Sequence, residues 1–251
     1  MKLITLNTWA GRLKEPFETF LKDHAEETDI FCFQEIFNNM EEGETEDYID
    51  HNEGNKYILQ EITATLPDFD GYFCPVAENV YGLAIFLKKG MEIVASGEVL
   101  LYQNPSYDKG NPDNDHDRKM QWVHVKTGRK DVMILNVHGH WDQSGKGDTE
   151  NRIEQSKAIN AFIASTGMVP KIMVGDFNLT ADTESIKMLG EHFENLITKY
   201  NITTTRTELY RGDEKHSDYV FTSPEVLVEG FAVLPDVVSD HTPLALTFDV
   251  F

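Results

Sequence analysis

Apolar positions along this chain follow two rhythms. Some runs are apolar at nearly every position, as in Ile30-Phe31-Cys32-Phe33 and Val132-Met133-Ile134-Leu135. Strands of that kind are covered on both faces, because a strand with one wet face alternates instead. Strands are predicted over Lys2–Leu6, Asp29–Gln34, Tyr81–Leu87, Met120–Lys126, Asp131–His138, Lys171–Gly175, Asp218–Thr222, Val226–Leu234 and Leu244–Val250. Thr127-Gly128-Arg129 reads as the turn of a hairpin between two of them.

Between the strands, apolar residues return at helical spacing. Phe17, Phe20, Leu21 and Ala25 follow Pro16, a residue suited to a first helical turn. Tyr57, Ile58, Ile62 and Leu66 repeat the pattern, and a third helix starts near Thr149 with Ile153, Ile159, Phe162 and Ile163. A shorter fourth runs from Asp182 to Leu189. Helices over mixed strands predict a layered α/β sandwich with two sheets inside. No repeat or second domain is visible, so one domain over residues 1–251 is expected. Asn38–Glu53, with seven acids, and Tyr102–Asp117, with four aspartates, read as long loops. Such loops serve as lids or specificity elements, or are plain solvated insertions.

Charge narrows the function. Lys and Arg number 22 against 43 Asp and Glu, a formal net charge of −21. Tight duplex binding draws on counterion release to a basic face, and no Lys/Arg-rich stretch is present. No apolar run approaches the roughly 18 residues of a membrane helix, and the start at Met1-Lys2 lacks a signal-peptide pattern. A cytoplasmic monomer without membrane insertion is expected. The two cysteines, Cys32 and Cys74, sit in apolar or aromatic runs and read as buried thiols.

Polar clusters interrupt the strands where they end. Asn7 closes the first, Gln34-Glu35 the second, His138 another and Gly175-Asp176-Phe177-Asn178 another, while Ser239-Asp240-His241 lies near the C-terminus. A polar residue just past a buried strand is held rigidly at a sheet edge, where a cleft forms. Glu35 is then a candidate ligand for a hard cation, with Asn7 adding a neutral oxygen. Asp176 and Asn178 offer a base and an amide donor, and Asp240-His241 can divide labour between a metal ion and a phosphate.

Leu6-Asn7-Thr8-Trp9, Gln34-Glu35, Gly175-Asp176-Phe177-Asn178, Ser217-Asp218-Tyr219-Val220-Phe221 and Ser239-Asp240-His241 together resemble the signature blocks of the endonuclease/exonuclease/phosphatase superfamily. They stand in that family's order and span essentially the whole chain. The resemblance implies a four-layered, DNase I-like α/β sandwich of two mixed sheets flanked by helices. It also implies Mg²⁺ dependence, with Mn²⁺ able to substitute, and hydrolysis of a phosphate ester. Glu35 is then the principal metal ligand, with Asn7 beside it and Asp240 as a nearby or second-metal ligand. Asp176 orients or deprotonates the attacking water, Asn178 donates to the phosphate, and His241 stabilises its developing charge. Asp218 holds the His241 ring through its other nitrogen. His138 matches a second phosphate-contacting histidine. Arg118, Tyr81 and His140 are weaker substrate candidates, while Arg152 and Gln155 brace the structure. Trp9 either stacks on substrate or packs in the core.

Two rival readings fit parts of the chain. His138-Gly139-His140-Trp141-Asp142 mimics the start of a His-x-His-x-Asp-His zinc motif, but the sixth position is Gln143. That reading leaves Glu35, Asp176, Asn178 and Asp218 without a role, and under the main reading His140 is a rim or loop residue. A serine or cysteine nucleophile lacks its elbow motif, and both thiols lie in apolar surroundings. The expected function is hydrolysis of a small phosphorylated substrate, with Arg118 and Lys119 as the nearby cations. A DNA or RNA nuclease and a catalytically inactive binding scaffold are the alternatives.

Overall fold

The computed structural model describes residues 1–38, 54–77, 80–105, 116–128 and 130–251, with the side chain of Thr127 left aside. The acidic stretch after Asn38, the centre of the Tyr102–Asp117 segment and Arg129 of the hairpin turn lie outside the described residues. Twelve strands are arranged in two mixed sheets of six. One sheet has the order β11-β12-β1-β2-β4-β3 and the other β5-β6-β7-β8-β10-β9. The strands are β1 (Lys2–Asn7), β2 (Ile30–Phe37), β3 (Phe69–Ala77), β4 (Tyr81–Lys88), β5 (Glu92–Tyr102) and β6 (Arg118–Thr127). They continue as β7 (Lys130–His138), β8 (Lys171–Asp176), β9 (Glu194–Asn195), β10 (Asp218–Thr222), β11 (Val226–Val233) and β12 (Leu244–Val250). The helices are α1 (Lys14–Ala25), α2 (Ile58–Thr65), α3 (Glu150–Ser165), α4 (Glu184–Gly190) and the short α5 (Leu196–Lys199). This is the DNase I-like layered sandwich.

Parity along the strands builds the layers. Leu3, Ile30, Cys32, Ile85 and Leu87 pack with the second sheet in one core cluster. Their neighbours Ile4, Leu6, Phe31, Phe33 and Phe86 join Phe17, Phe20 and Leu21 of α1 and Ile58 and Ile62 of α2 in another. That double burial is why these strands lack alternation. Gln34 and Asn136 join the two sheets through a buried hydrogen bond of 2.7 Å, and the Asn136 amide also donates to the Phe33 carbonyl at 3.1 Å. The Gln34 amide N–H groups and both ends of the Asn136 side chain are answered in this buried pair, while Gln34 Oε1 has no partner.

Pattern reading missed β3, β5 and the two-residue β9. All three are outermost strands of their sheets. An outermost strand buries little, so its apolar pattern is weak, and β5 is exposed along most of its length. Pro75 sits in β3, where a missing N–H is tolerated. The β6–β7 hairpin formed as expected, with Thr127 opposite Lys130. Thr149 caps α3 through its hydroxyl, which accepts from the Arg152 N–H.

Candidate active site

Every cluster read from the sequence lies at one end of the paired sheets. β1 and β2 run parallel and place Asn7 opposite Gln34, with Glu35 following. β7 and β8, also parallel, set His138 beside Asp176. The antiparallel β10 begins at the same end and places Asp218 beside Asp176. Two glycines permit this close approach. A Cβ on Gly175 would stand 2.0 Å from the Val137 carbonyl oxygen, and one on Gly139 would stand 2.4 Å from that of Phe177.

Backbone strain collects here. Glu35 has φ 61° and Asn178 φ 56°, both left-handed. For a residue with a Cβ that conformation costs about 1–2 kcal/mol and persists only where the surroundings impose it. The β2–β4 register shifts between Phe33 and Ile36, which lets Gln34 enter the core while Glu35 lines the cleft. Trp9, Ala10 and Gly11 form three consecutive left-handed residues, at 52°, 55° and 69°. They hold the Trp9 ring at the cleft, with the Arg12 guanidinium 4.6 Å from its centroid.

Asp176 accepts hydrogen bonds from three different residues. Its Oδ1 accepts from the Asn178 N–H at 2.8 Å and the Ser217 hydroxyl at 2.6 Å. Its Oδ2 accepts from the Asn7 amide at 3.0 Å, and that amide also donates to Glu35 Oε1 at 3.0 Å. Burial pushes the Asp176 carboxyl up, but Lys146, His241, His138 and Arg206 outweigh it and hold it well below the ordinary range. Burial raises Glu35, against the Asn7 hydrogen bond and the charge at His241. Asn7 Oδ1 accepts the Trp9 N–H at 3.0 Å, so service as a neutral metal ligand requires the amide to rotate.

His241 stands between opposite charges. Its Nδ1 donates to Asp218, at 2.8 and 2.9 Å from the two oxygens. Its Nε2 lies 2.5 Å from Arg206 Nη1 and 3.7 Å from Asp176 Oδ2. Burial opposes the charged ring, yet Asp218 and Asp176 prevail and raise its pKa. Arg206 also reaches Asp240 Oδ2 at 3.4 Å and donates to the Ser217 hydroxyl at 2.9 Å, with Tyr210 beneath it at 4.0 Å. Across the cleft, Arg118 Nη1 lies 3.2 Å from His138 Nε2, and burial followed by the Arg118 charge lowers His138 well below 6.5.

The cleft has a volume of about 280 Å³ and is lined by Glu35, His138, Asp176, Asn178, Asp240 and His241 among others. Tyr81 and Arg118 also line it. Lys119 does not, because it points to the other face of β6 and pairs with Glu98 at 2.6 Å. His140 is likewise absent from the lining; its ring packs on Tyr102 at 4.2 Å. Its backbone is gripped by Gln155 at 2.8 Å and Arg152 at 3.0 Å, the bracing role expected of that pair. The rival zinc motif does not assemble. Among the described residues, the acids and imidazoles close enough to share an ion are Asp176, Asp218 and His241, within 4.8 Å. Asp218 and His241 are already bonded to each other. The remaining carboxylates at the cleft, Glu35 and Asp240, offer oxygen donors with no sulfur nearby, a set that fits a hard divalent cation.

Several lining residues were not read from the sequence: Arg12, Trp141, Lys146, Arg206 and Tyr210. Lys146 donates to Asn178 Oδ1 at 2.5 Å. It lies in the loop between β7 and α3. Arg206 sits in a threonine-rich segment with no strand pattern, and its partner His241 is a bridge across 35 residues.

Facing mixed sheets with an acid, amide and imidazole cleft at their ends define the class of DNase I-like sandwich proteins. The Endonuclease/Exonuclease/phosphatase family model matches residues 4–241, and the chain belongs to that family. Members of it are hydrolases acting on phosphate esters. Among solved structures, a family protein from Bacteroides vulgatus aligns with TM-score 0.72 and 22% identity, covering 100% of this chain and 98% of its own. A mannosyl-6-phosphatase from Bacteroides thetaiotaomicron aligns with TM-score 0.73 and 19% identity, over 99% of both chains. A D. rerio TDP2 humanized by 14 mutations aligns with TM-score 0.74 and 14% identity, over 100% of this chain and 99% of its own. At these identities the likeness concerns the fold. Comparison with curated proteins gave no match.

Proposed function

We propose that this chain is a Mg²⁺-dependent phosphoesterase, with Mn²⁺ able to substitute, acting as one catalytic unit on a small phosphorylated substrate. The observation that carries the reading is the convergence of Glu35, Asp176, Asn178, Asp240 and His241 on one cleft from separate chain segments. A scaffold that had lost turnover would show a gap in that set, and none exists.

Glu35 and Asp240 hold the cation, and Asn7 fixes the Glu35 carboxylate or turns its oxygen inward. When bound, the cation draws charge from the phosphate oxygens. Asp176 stays ionised throughout the neutral range, so it orients the attacking water and accepts its proton as the phosphorus–oxygen bond forms. Asn178 and His241 place hydrogen-bond donors where the five-coordinate phosphorus gathers negative charge. Asp218 keeps the His241 ring in one orientation. Lys146, Arg206, Arg118 and Arg12 make the cleft cationic in a chain of net charge −21. Against an acidic exterior, that local charge favours a compact anion over a long duplex.

The test is hydrolysis of a bis-aryl phosphate with EDTA and after return of Mg²⁺ or Mn²⁺. Activity lost with EDTA and restored by either ion is expected. Restoration by Zn²⁺ alone would overturn the hard-cation assignment. The nuclease alternative is favoured by the cationic lining itself. Plasmid nicking that outpaces small phosphoesters and weakens steeply with salt would establish it.

A further inference from the structure

Two cations reach Asp176 through intermediaries that bond the same carboxylate oxygen. Lys146 reaches it through Asn178: its Nζ lies 2.5 Å from Asn178 Oδ1, and the Asn178 N–H bonds Asp176 Oδ1 at 2.8 Å. Arg206 reaches it through Ser217: Nη2 lies 2.9 Å from the Ser217 hydroxyl, which bonds the same Asp176 oxygen at 2.6 Å. Both cations line the cleft. Both are also largely removed from water, which is costly for a charge unless an anion answers it.

The carboxylates at hand only partly answer them. Arg206 meets Asp240 at a long 3.4 Å, and its Nε, though buried, has no hydrogen-bond partner. Its Nη1 donates to the imidazole of His241, a neutral acceptor in that contact. A guanidinium so placed retains N–H donor capacity for a phosphate oxygen. Lys146 adds a second point charge, and the Gly139–Asp148 loop that carries it is anchored to α3 by Arg152 and to Thr180 by a backbone hydrogen bond of 3.0 Å. Lysine and arginine, together with the Asn178 amide, supply donors for three non-bridging oxygens.

We propose that Lys146 and Arg206 form a clamp for a terminal phosphate, so that the site takes phosphomonoesters in preference to phosphodiesters. The proposal rests on the phosphoesterase reading above and deepens it. A monoester dianion presents three non-bridging oxygens and two charges, whereas a diester presents two oxygens and one charge. The clamp gains on both counts. Attack by water oxygen on phosphorus, with departure of the ester oxygen and its electron pair, leaves inorganic phosphate held by the same donors.

Two measurements separate the clamp from the activity. The first is calorimetric titration of the full-length chain with inorganic phosphate, with and without Mg²⁺. Wild type should bind in both conditions, and Arg206→Gln or Lys146→Met should weaken binding on the order of tenfold or more. The second is kcat/KM on 4-nitrophenyl phosphate and on bis(4-nitrophenyl) phosphate. Wild type should prefer the monoester, and each variant should lose on the order of 10²-fold on it but about tenfold or less on the diester. Arg206→Lys, which keeps the charge without the fork, should recover part of the loss and serves as the measure if Arg206→Gln fails to fold. Phosphate affinity unchanged by Lys146→Met and Arg206→Lys, or equal losses on both esters, would overturn the clamp. Phosphate binding that depends on both residues, in a protein that hydrolyses no ester, would keep the clamp and sink the phosphoesterase reading, whereas cleavage of plasmid DNA and no small ester would overturn the monoester preference.

Discussion

His138 and His241 are the same residue type, buried at the same cleft and touched at Nε2 by an arginine, yet they are driven in opposite directions. His138 has Arg118 at 3.2 Å and is held well below its ordinary pKa by burial and that charge. His241 has Arg206 closer still, at 2.5 Å, and is nevertheless raised. The difference lies behind the ring. Asp218 stands 2.8 Å from His241 Nδ1, whereas the carboxylate beside His138 is Glu35, at 3.9 Å from Nε2. A charge-assisted hydrogen bond at one nitrogen outweighs an arginine at the other, because the pair is desolvated together. Across one cleft, a neutral imidazole therefore faces one ready to carry charge. A proton on His241 Nε2 would confront the Arg206 N–H, so charging that ring must displace the guanidinium.

The largest effect should come from removing the carboxylate that creates the asymmetry. Asp218→Asn leaves the shape but reverses the hydrogen-bond preference at Nδ1, and kcat/KM should fall about 10²–10⁴-fold. Its signature is a His241 pKa that drops below the ordinary value in NMR titration, making the two histidines alike. A His241 still raised in that variant would place the cause elsewhere.

Next in size is the arginine on the other side. Arg118→Met removes the charge that, after burial, lowers His138 most. The His138 pKa should then rise, and kcat/KM should fall about tenfold if Arg118 also meets the phosphate. An unmoved titration would mean that burial alone keeps this ring neutral.

The smallest effect is on stability and runs with opposite sign for the two rings. His138 has its pKa depressed on folding, so its contribution is present above about pH 6.5 and is lost as pH falls through the folded value. His138→Gln should therefore tolerate acid better than wild type, by about 1.4 kcal/mol for every tenfold change that folding makes in the ring's proton affinity. His241 has its pKa raised, so its stabilisation is present below about pH 6.5 and is lost as pH rises through the folded value. His241→Gln should accordingly lose most stability at mildly acidic pH. Melting temperatures of the three proteins between about pH 5 and 8 decide this, and parallel curves would refute the contrast.

Much of this arrangement was legible in the chain itself. Continuous apolar runs such as Ile30–Phe33 demanded two covered faces, which is what paired sheets with outer helices provide. Polar residues at the ends of such runs had one place to go, so the meeting of Asn7, Glu35, His138 and Asp176 at one end of the sheets was legible from strand position. Edge strands β3 and β5 were not, since burial writes the periodic signal and an edge strand buries too little.

What only the tertiary structure decided is the electrostatics of the cleft. Net charge and local composition pointed to Arg118 and Lys119 as the cations in reach. Folding turned Lys119 away to Glu98, because successive residues of a strand face opposite sides. It brought in Arg12, Lys146 and Arg206 from loops with no motif of their own. The same holds for protonation: nothing in the letters distinguishes His138 from His241. A residue's identity and its strand position are local properties, carried by the chain wherever it is read. The charge it bears is set by burial and by groups a few ångströms away in space, and those neighbours are distant in sequence.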